Sequence, residues 1–252
     1  MNKLYIFGDS FAQEYDYENF IPWFRKLSND MNIEYENYGL QGSSPGYSMN
    51  KFRSIENELN EDFVVLMLSD PQRDYHSENN DIGMANLRMS IDNQNFQMRP
   101  HQTNHCRDDN IKNILYLKYM SKHLYNSTKF FVNVIWKNTI CNSEFIESEN
   151  NFYFCDCDLG TIWIDEYELN AMHNVPFGHT TLLEQGKVKA IIEDNRYNHM
   201  SQRTHNTLSN LIYDFFINQK MPKNTNDMFE KGFLNTTDEH LRVIQEQEFI
   251  YE

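Results

Sequence analysis

The sequence has little positive charge and no long apolar segment. Its 252 residues include 22 Lys and Arg against 37 Asp and Glu, which gives a formal net charge of −15 at pH 7. Proteins that bind DNA or RNA regardless of sequence neutralise phosphates with Lys and Arg, so nucleic acid is not an expected partner. The same charge disfavours an anionic membrane surface. No apolar run approaches the roughly 20 residues that cross a bilayer.

A signal peptide is not predicted either. The first predicted core strand begins at about Lys3, and cleavage of a signal peptide would remove this strand together with Ser10. We therefore expect a cytoplasmic protein without membrane contact; a protein released by lysis or carried on a particle is the alternative.

Cysteines are few, and no Cys-x-x-Cys pair occurs. The four cysteines are Cys106, Cys141, Cys155 and Cys157. Cys155 and Cys157 alternate on a predicted strand, so both side chains are expected on one face as small apolar groups. His101, His105 and Cys106 have a spacing that metal ligands can show, but they lie in a stretch rich in Asn and Gln. We predict no metal site there.

What the sequence does contain is an alternation of short apolar strands and amphipathic helices. With 3 Trp, 15 Tyr and 18 Phe, and 40% apolar residues, it can build a substantial core. Strands are predicted near Lys3, Ile33, Phe63 and Lys129, and helices at about 19–27, 47–59 and 109–124. This alternation is typical of βαβ units in a doubly wound parallel sheet.

We predict one domain, residues 1–219, followed by a tail, residues 220–252. Asn, Asp, Gln and His dominate residues 74–110, which we interpret as an inserted lid; a disordered spacer is the alternative. The end of the tail is apolar and is expected to pack on its own domain; docking on a partner is the alternative.

A candidate nucleophile follows the first strand. The apolar run from Leu4 to Phe7 ends in Gly8-Asp9-Ser10, before the first helical pattern. A side chain at the carboxyl edge of a parallel sheet faces the ligand crevice, and a helix amino terminus behind it would favour developing negative charge. Ser10 is therefore the candidate nucleophile. The alternative is that Asp9 and Ser10 only cap the next helix.

Gly8-Asp9-Ser10-Phe11 resembles the first sequence block of the SGNH (GDSL-type) hydrolases, most of which cleave esters. Phe11 stands where the family usually has Leu. Asn37-Tyr38-Gly39-Leu40-Gln41-Gly42 resembles the second block, whose second glycine donates its N–H to the oxyanion hole, a role that the resemblance gives to Gly42. An ordinary turn is the alternative. The resemblance implies a three-layer α/β/α sandwich with a mainly parallel five-stranded sheet, similar to flavodoxin.

The third block departs from the family pattern. The family has Gly-x-Asn after the third strand, and its Asn completes the oxyanion hole; this sequence has Ser69-Asp70-Pro71-Gln72-Arg73. Arg73 is the better replacement donor because its charge is permanent, with Gln72 as the alternative. A surface ion pair of Arg73 with Asp70 or Asp74 would be a purely structural role.

Asn198-His199-Met200-Ser201 resembles the last block, which makes His199 the general base. His205, six residues later at the start of a predicted helix, is expected to be structural. The family's aspartate lies three residues before the histidine, where this sequence has Arg196. Asp194 is the best available orienting carboxylate, and Glu193 is next.

These residues predict a serine ester hydrolase that removes small, acetyl-like acyl groups from a polar or carbohydrate substrate. The backbone N–H of Ser10, that of Gly42 and the Arg73 side chain would form the oxyanion hole. Lipid esters are less favoured, and no metal or organic cofactor is required. Two alternatives remain open: an acyltransferase with the same Ser-His machinery, and a catalytically faded binding protein on this scaffold.

Overall fold

The structure is a computed structural model that describes residues 2–14, 21–40, 43–69, 100–135, 146–157, 159 and 202–229, with the backbone alone over 100–110. The strands are β1 (Leu4–Gly8), β2 (Tyr35–Asn37), β3 (Phe63–Leu68), β4 (Lys129–Val134) and β5 (Phe152–Cys155). The helices are α1 (Trp23–Met31), α2 (Pro45–Ile55), α3 (Pro100–His123) and α4 (Gln202–Asn218). Short 3-10 turns occur at Glu56–Glu58 and Thr225–Met228.

The five strands form one sheet in the order β2-β1-β3-β4-β5, and every neighbouring pair is parallel. The register places Gly8, Met67, Asn133 and Cys155 in one row near the carboxyl edge of the sheet. The prediction of an α/β fold with a five-stranded, mainly parallel sheet is confirmed.

Helices cover both faces of this sheet. Alternate residues of each strand face opposite layers: Val65 packs with α1 and α4, whereas Val64 and Leu66 pack with α2 and α3. Because both faces are covered, β3 has apolar residues at every position, as strands of parallel sheets usually have.

The helix starts follow local sequence signals. Ser44 caps α2, since its hydroxyl accepts a hydrogen bond from the N–H of Tyr47 over 3.1 Å, and Pro45 occupies the first helical position. The helix therefore begins slightly before the predicted Tyr47. Helix α1 begins after Pro22 and ends at Asn32, which adopts the left-handed conformation with φ 53°.

Helix α3 differs most from the prediction. It was expected from about residue 109 but begins at Pro100, so residues 100–110 belong to a helix and not to an irregular insertion. The sequence of this stretch has no apolar stripe, and periodicity therefore gave no signal for it. Residues 74–99 of the predicted lid lie outside the described residues.

The chain after α4 packs on the edge strand β5. The Asp156 carboxylate accepts hydrogen bonds from the N–H groups of Asn224 (2.8 Å) and Thr225 (3.0 Å) and from the Thr225 hydroxyl (2.7 Å). Phe229 is buried in the same core layer as Cys155 and Cys157. Residues 220–229 of the predicted tail thus lie on the domain, whereas its apolar end lies outside the described residues. The two cysteines are in one buried cluster, as expected.

Candidate active site

Ser10 lies in a tight turn immediately after β1, at the carboxyl edge of the sheet, with 8% of its surface exposed. Its neighbour Asp9 is fully buried and shapes this turn. The Asp9 carbonyl accepts the N–H groups of Ala12 and Gln13, both at 3.0 Å, and its carboxylate accepts the N–H of Phe11 at 3.0 Å. Asp9 therefore folds the chain back directly after the candidate nucleophile.

The turn is not the start of α1. That helix begins at Trp23, its capping position is Pro22, and its first N–H donates to the ring of His205. The expectation that the N–H groups of the helix behind Ser10 are unpaired is therefore wrong for the first N–H of α1, which is bonded to His205. The alternative that Asp9 and Ser10 cap α1 is wrong, since the capping position is Pro22.

The loop after β2 is pressed against the Ser10 turn. The Asn37 side chain donates to the carbonyl of Ala12 over 2.7 Å and accepts the N–H of Gly39 over 2.7 Å. A Cβ on Gly39 would lie 2.5 Å from the carbonyl carbon of Ala12 and 2.7 Å from the N of Gln13. Gly39 is therefore required for the close approach of these two loops.

A second set of contacts joins the same loop to the end of β1. The N–H of Leu40 and the hydroxyl of Ser43 both donate to the carbonyl of Gly8, over 3.0 and 3.1 Å. Tyr38 stacks on Phe7 with ring centroids 5.2 Å apart. Burial, followed by a hydrogen bond to Glu36, raises the pKa of Tyr38 to about 12, so this phenol stays neutral at ordinary pH.

The exit of the turn is fixed by Glu14. Its carboxylate accepts hydrogen bonds from Arg25 of α1 and from the Tyr35 hydroxyl of β2, the latter over 3.0 Å. Burial and this hydrogen bond to Glu14 raise the pKa of Tyr35. The turn is thus connected to α1 and β2 at its exit as well as at its centre.

The start of α4 lies close to the same turn. His205 is 2% exposed, and its Nδ1 accepts the N–H of Trp23 over 3.1 Å. The indole of Trp23 in turn donates to the carbonyl of Phe11 over 2.9 Å. Gln202 forms two hydrogen bonds of 2.9 Å with the backbone of Ile21. His205 is thus buried and hydrogen-bonded near the start of α4, as predicted.

Two buried polar residues near this edge were not identified from the sequence as structural or functional. Asn133 in β4 is fully buried, and its amide donates to the carbonyls of Cys155 (3.3 Å) and Cys157 (2.6 Å). Ser69 follows β3, and its buried hydroxyl has no hydrogen-bond partner among the described residues. Asn133 is the polar residue within the apolar run of β4, and this position could have indicated a buried hydrogen-bonding role. Ser69 stands where the family pattern has glycine.

Of the predicted site residues, the described part of the chain contains Ser10. Gly42, Arg73, Asp194 and His199 lie outside the described residues. The nearest described neighbours are Ser43 for Gly42, Ser69 for Arg73 and Gln202 for His199, and these belong to the loop after β2, the end of β3 and the start of α4.

Within the described ranges, no group of three or more His, Cys, Asp or Glu side chains is arranged to hold a metal ion. None of the described helices is long and apolar enough to cross a membrane.

No protein-family model and no curated protein matches the sequence. Among solved structures, a member of the lipolytic protein G-D-S-L family from Veillonella parvula DSM 2008 aligns with 88% of this chain and 100% of its own length. The sequences are 11% identical over this alignment, and the TM-score is 0.37. The fold class rests on the order and direction of the strands and not on this neighbour.

Proposed function

We propose that the protein is a serine ester hydrolase of the SGNH type, with Ser10 as nucleophile, His199 as general base and Asp194 as the carboxylate that orients it. The observation that carries this proposal is the position of Ser10. It lies at the carboxyl edge of a parallel sheet, where such sheets bind ligands, in a turn that hydrogen bonds hold to two neighbouring elements.

The start of α4 supports His199 as the partner. His205 and Gln202 are bonded to the segment Ile21–Trp23, and Trp23 is bonded to the residue that follows Ser10. His199 lies three positions before Gln202, and three extended residue steps span at most about 11 Å. The start of α4, which follows His199 closely in the sequence, is thus bonded to the segment that packs on the Ser10 turn, and this supports His199 as the general base.

In the proposed reaction, His199 takes the proton from the Ser10 hydroxyl as its oxygen attacks the ester carbonyl carbon. The negative oxygen that forms is stabilised by the N–H of Ser10, the N–H of Gly42 and the side chain of Arg73. The alkoxide leaves as an alcohol with the proton from His199. Water, activated by the same histidine, then releases the carboxylic acid from Ser10.

We further propose small acyl groups, such as acetyl, on polar or carbohydrate carriers as the substrate class. This substrate class rests on the resemblance of the first, second and last sequence blocks to those of the SGNH hydrolases. An acyl chain is the part of the substrate bound to Ser10 in the intermediate, so chain-length preference separates this substrate class from lipid esters.

The test uses a fluorophosphonate, which forms a covalent adduct with activated serine, followed by peptide mapping. The wild-type protein is expected to be labelled at Ser10, and Ser10→Ala to lose the adduct. His199→Ala is expected to lower the labelling rate by about 10²-fold or more, the usual contribution of a general base. His123→Ala, an exposed histidine of α3, is the matched control and should react at the wild-type rate.

Hydrolysis of 4-nitrophenyl acetate and octanoate then tests the substrate class, and faster turnover of the acetate is expected. Labelling at another residue, or equal labelling of His199→Ala, contradicts the assigned machinery. Absence of labelling together with binding of an acetylated sugar favours the faded binding protein. Ester turnover that appears only when an alcohol acceptor is added favours the acyltransferase.

A further inference from the structure

His205 occupies the place of a capping residue for a helix to which it does not belong. Helix α1 begins at Trp23, and the preceding Pro22 has no side-chain acceptor for the first helical N–H. Nδ1 of His205 accepts that N–H over 3.1 Å from α4. Because the first N–H groups of a helix have no partner within the helix, an acceptor here stabilises the start of α1.

The same hydrogen bond fixes the form of the imidazole. A nitrogen that accepts from a backbone N–H carries no proton, so the neutral ring of His205 bears its hydrogen on Nε2. The ring is buried, so water cannot replace Nδ1 as the acceptor of the Trp23 N–H. Its position relative to the start of α1 is therefore set by packing and by this directional contact.

The side chain of Trp23 carries this contact to the Ser10 turn. The indole is fully buried, and its N–H donates to the carbonyl of Phe11 over 2.9 Å. The N–H of Phe11 is itself bonded to the Asp9 carboxylate at 3.0 Å. The residue directly after Ser10 is thus held at both its N–H and its carbonyl, which restricts rotation of the peptide that leaves Ser10.

We propose that His205 is a positioning residue for the nucleophile, acting through Trp23 and Phe11 on the turn that carries Ser10. The inference rests on the proposed function of Ser10. Loss of the acceptor leaves a buried N–H without a partner at the start of α1, so the Trp23 indole and the Phe11 carbonyl relax together. A misplacement of about 1 Å can cost about 10²-fold in rate, which makes the turn sensitive to a residue that does not touch the substrate.

Four single variants test this path. His205→Asn keeps an acceptor near the position of Nδ1, whereas His205→Leu removes it at similar volume. Trp23→Phe removes the indole N–H and keeps an aromatic ring in the core. Ser209→Ala is the matched control, since Ser209 is buried on the same helix and its hydroxyl has no hydrogen-bond partner among the described residues.

The first readout is the fluorophosphonate reaction at Ser10, separated into its maximal rate and its half-saturating concentration. His205→Leu and Trp23→Phe are each expected to lower the maximal rate by about tenfold or more, with His205→Asn and Ser209→Ala within about threefold of wild type. The double variant His205→Leu/Trp23→Phe should be no slower than either single variant, because both act through one path. A purely structural histidine would lower the unfolding midpoint without this pattern.

The second readout does not require a reactive serine. Hydrogen exchange of residues 9–13 is expected to be about tenfold faster in His205→Leu than in Ser209→Ala, with β3 and β4 unchanged. If wild-type Ser10 is labelled but His205→Leu and Trp23→Phe react at the wild-type rate, the inference is overturned and the proposed function stands. If wild-type Ser10 is not labelled, the proposed function fails. In that case, exchange of residues 9–13 that is equal in His205→Leu and Ser209→Ala would also overturn the link between His205 and the turn.

Discussion

The side-chain amide of Asn37 donates a hydrogen bond of 2.7 Å to the carbonyl oxygen of Ala12, which joins the end of β2 to the turn that carries Ser10. The carbonyl oxygen of the same amide accepts the N–H of Gly39. One side chain thus sets the distance between the two loops to which the sequence assigns the nucleophile and an oxyanion donor.

We predict that Asn37→Ala lowers the free energy of unfolding by about 1–2 kcal/mol, because two hydrogen bonds of a partly buried amide are lost. Asn37→Asp keeps the acceptor for Gly39 but places a carboxylate oxygen against the carbonyl of Ala12. It should therefore be less stable than Asn37→Ala at pH 7. Urea unfolding measures both variants, and equal stability of the aspartate variant and the wild type would contradict this geometry.

Gly39→Ala should destabilise the protein more than the small size of the added methyl group suggests. The added methyl group would meet the backbone of Ala12 at 2.5 Å, and backbone cannot move aside as a flexible side chain can. We expect a loss of about 2 kcal/mol or more in the free energy of unfolding, together with slower labelling of Ser10. Gly46→Ala, in the first turn of α2, is the control and should be neutral or slightly stabilising. A fully stable Gly39→Ala variant would show that the two loops are not in contact.

The stability of the protein should depend on the ionisation of Glu36. Hydrogen bonds from Lys3 and then from Tyr38 lower the pKa of Glu36 in the folded protein. A lowered folded pKa contributes stability that is present above the ordinary glutamate value of about 4.3 and is lost as the pH falls through the folded pKa.

The difference in unfolding free energy between wild type and Glu36→Gln is therefore expected to be largest near pH 7 and to shrink below about pH 4. It should also shrink in 1 M salt, because the Lys3–Glu36 pair is partly exposed. Glu34→Gln, at an exposed neighbouring position, is the control. Parallel pH profiles of wild type and Glu36→Gln would count against the ion pair.

Asn133 is predicted to stabilise the chain that leaves β5. Its amide donates to the carbonyls of Cys155 and Cys157, and Asn133→Ala leaves both without this donor in a buried place. We expect Asn133→Ala to lower the free energy of unfolding by about 1–3 kcal/mol, and Asn133→Asp to lower it more because it buries a charge. Asn218→Ala, at the exposed end of α4, should change stability little. A lower free energy of unfolding for Asn218→Ala than for Asn133→Ala, measured in urea, would refute this role.

The sheet and the place of Ser10 were predictable because each depends on a local pattern. The apolar runs of β1, β3 and β4 mark buried parallel strands, and the position of Ser10 follows from the end of β1. The start of α3 was not predictable, since residues 100–110 have no apolar periodicity.

The contacts around the turn were also beyond sequence reasoning. The bond of Asn37 to Ala12 and that of Trp23 to His205 join a side chain to a backbone group in a distant segment. Such pairs leave no spacing or periodicity in a single sequence, because any residue can provide the backbone group. The motif that resembles the second block contained Asn37 and Gly39, but which of its residues contact the first loop is decided by tertiary packing.

The hydrogen bond between Trp23 and His205 spans 182 positions of the chain. During synthesis on a ribosome, the amino-terminal segment emerges long before α4, so the inner face of α1 lacks its α4 contacts until late in translation. A nascent polypeptide that stops before residue 202 would keep Trp23, Phe24 and Leu27 without their α4 contacts and would be prone to bind chaperones or to aggregate.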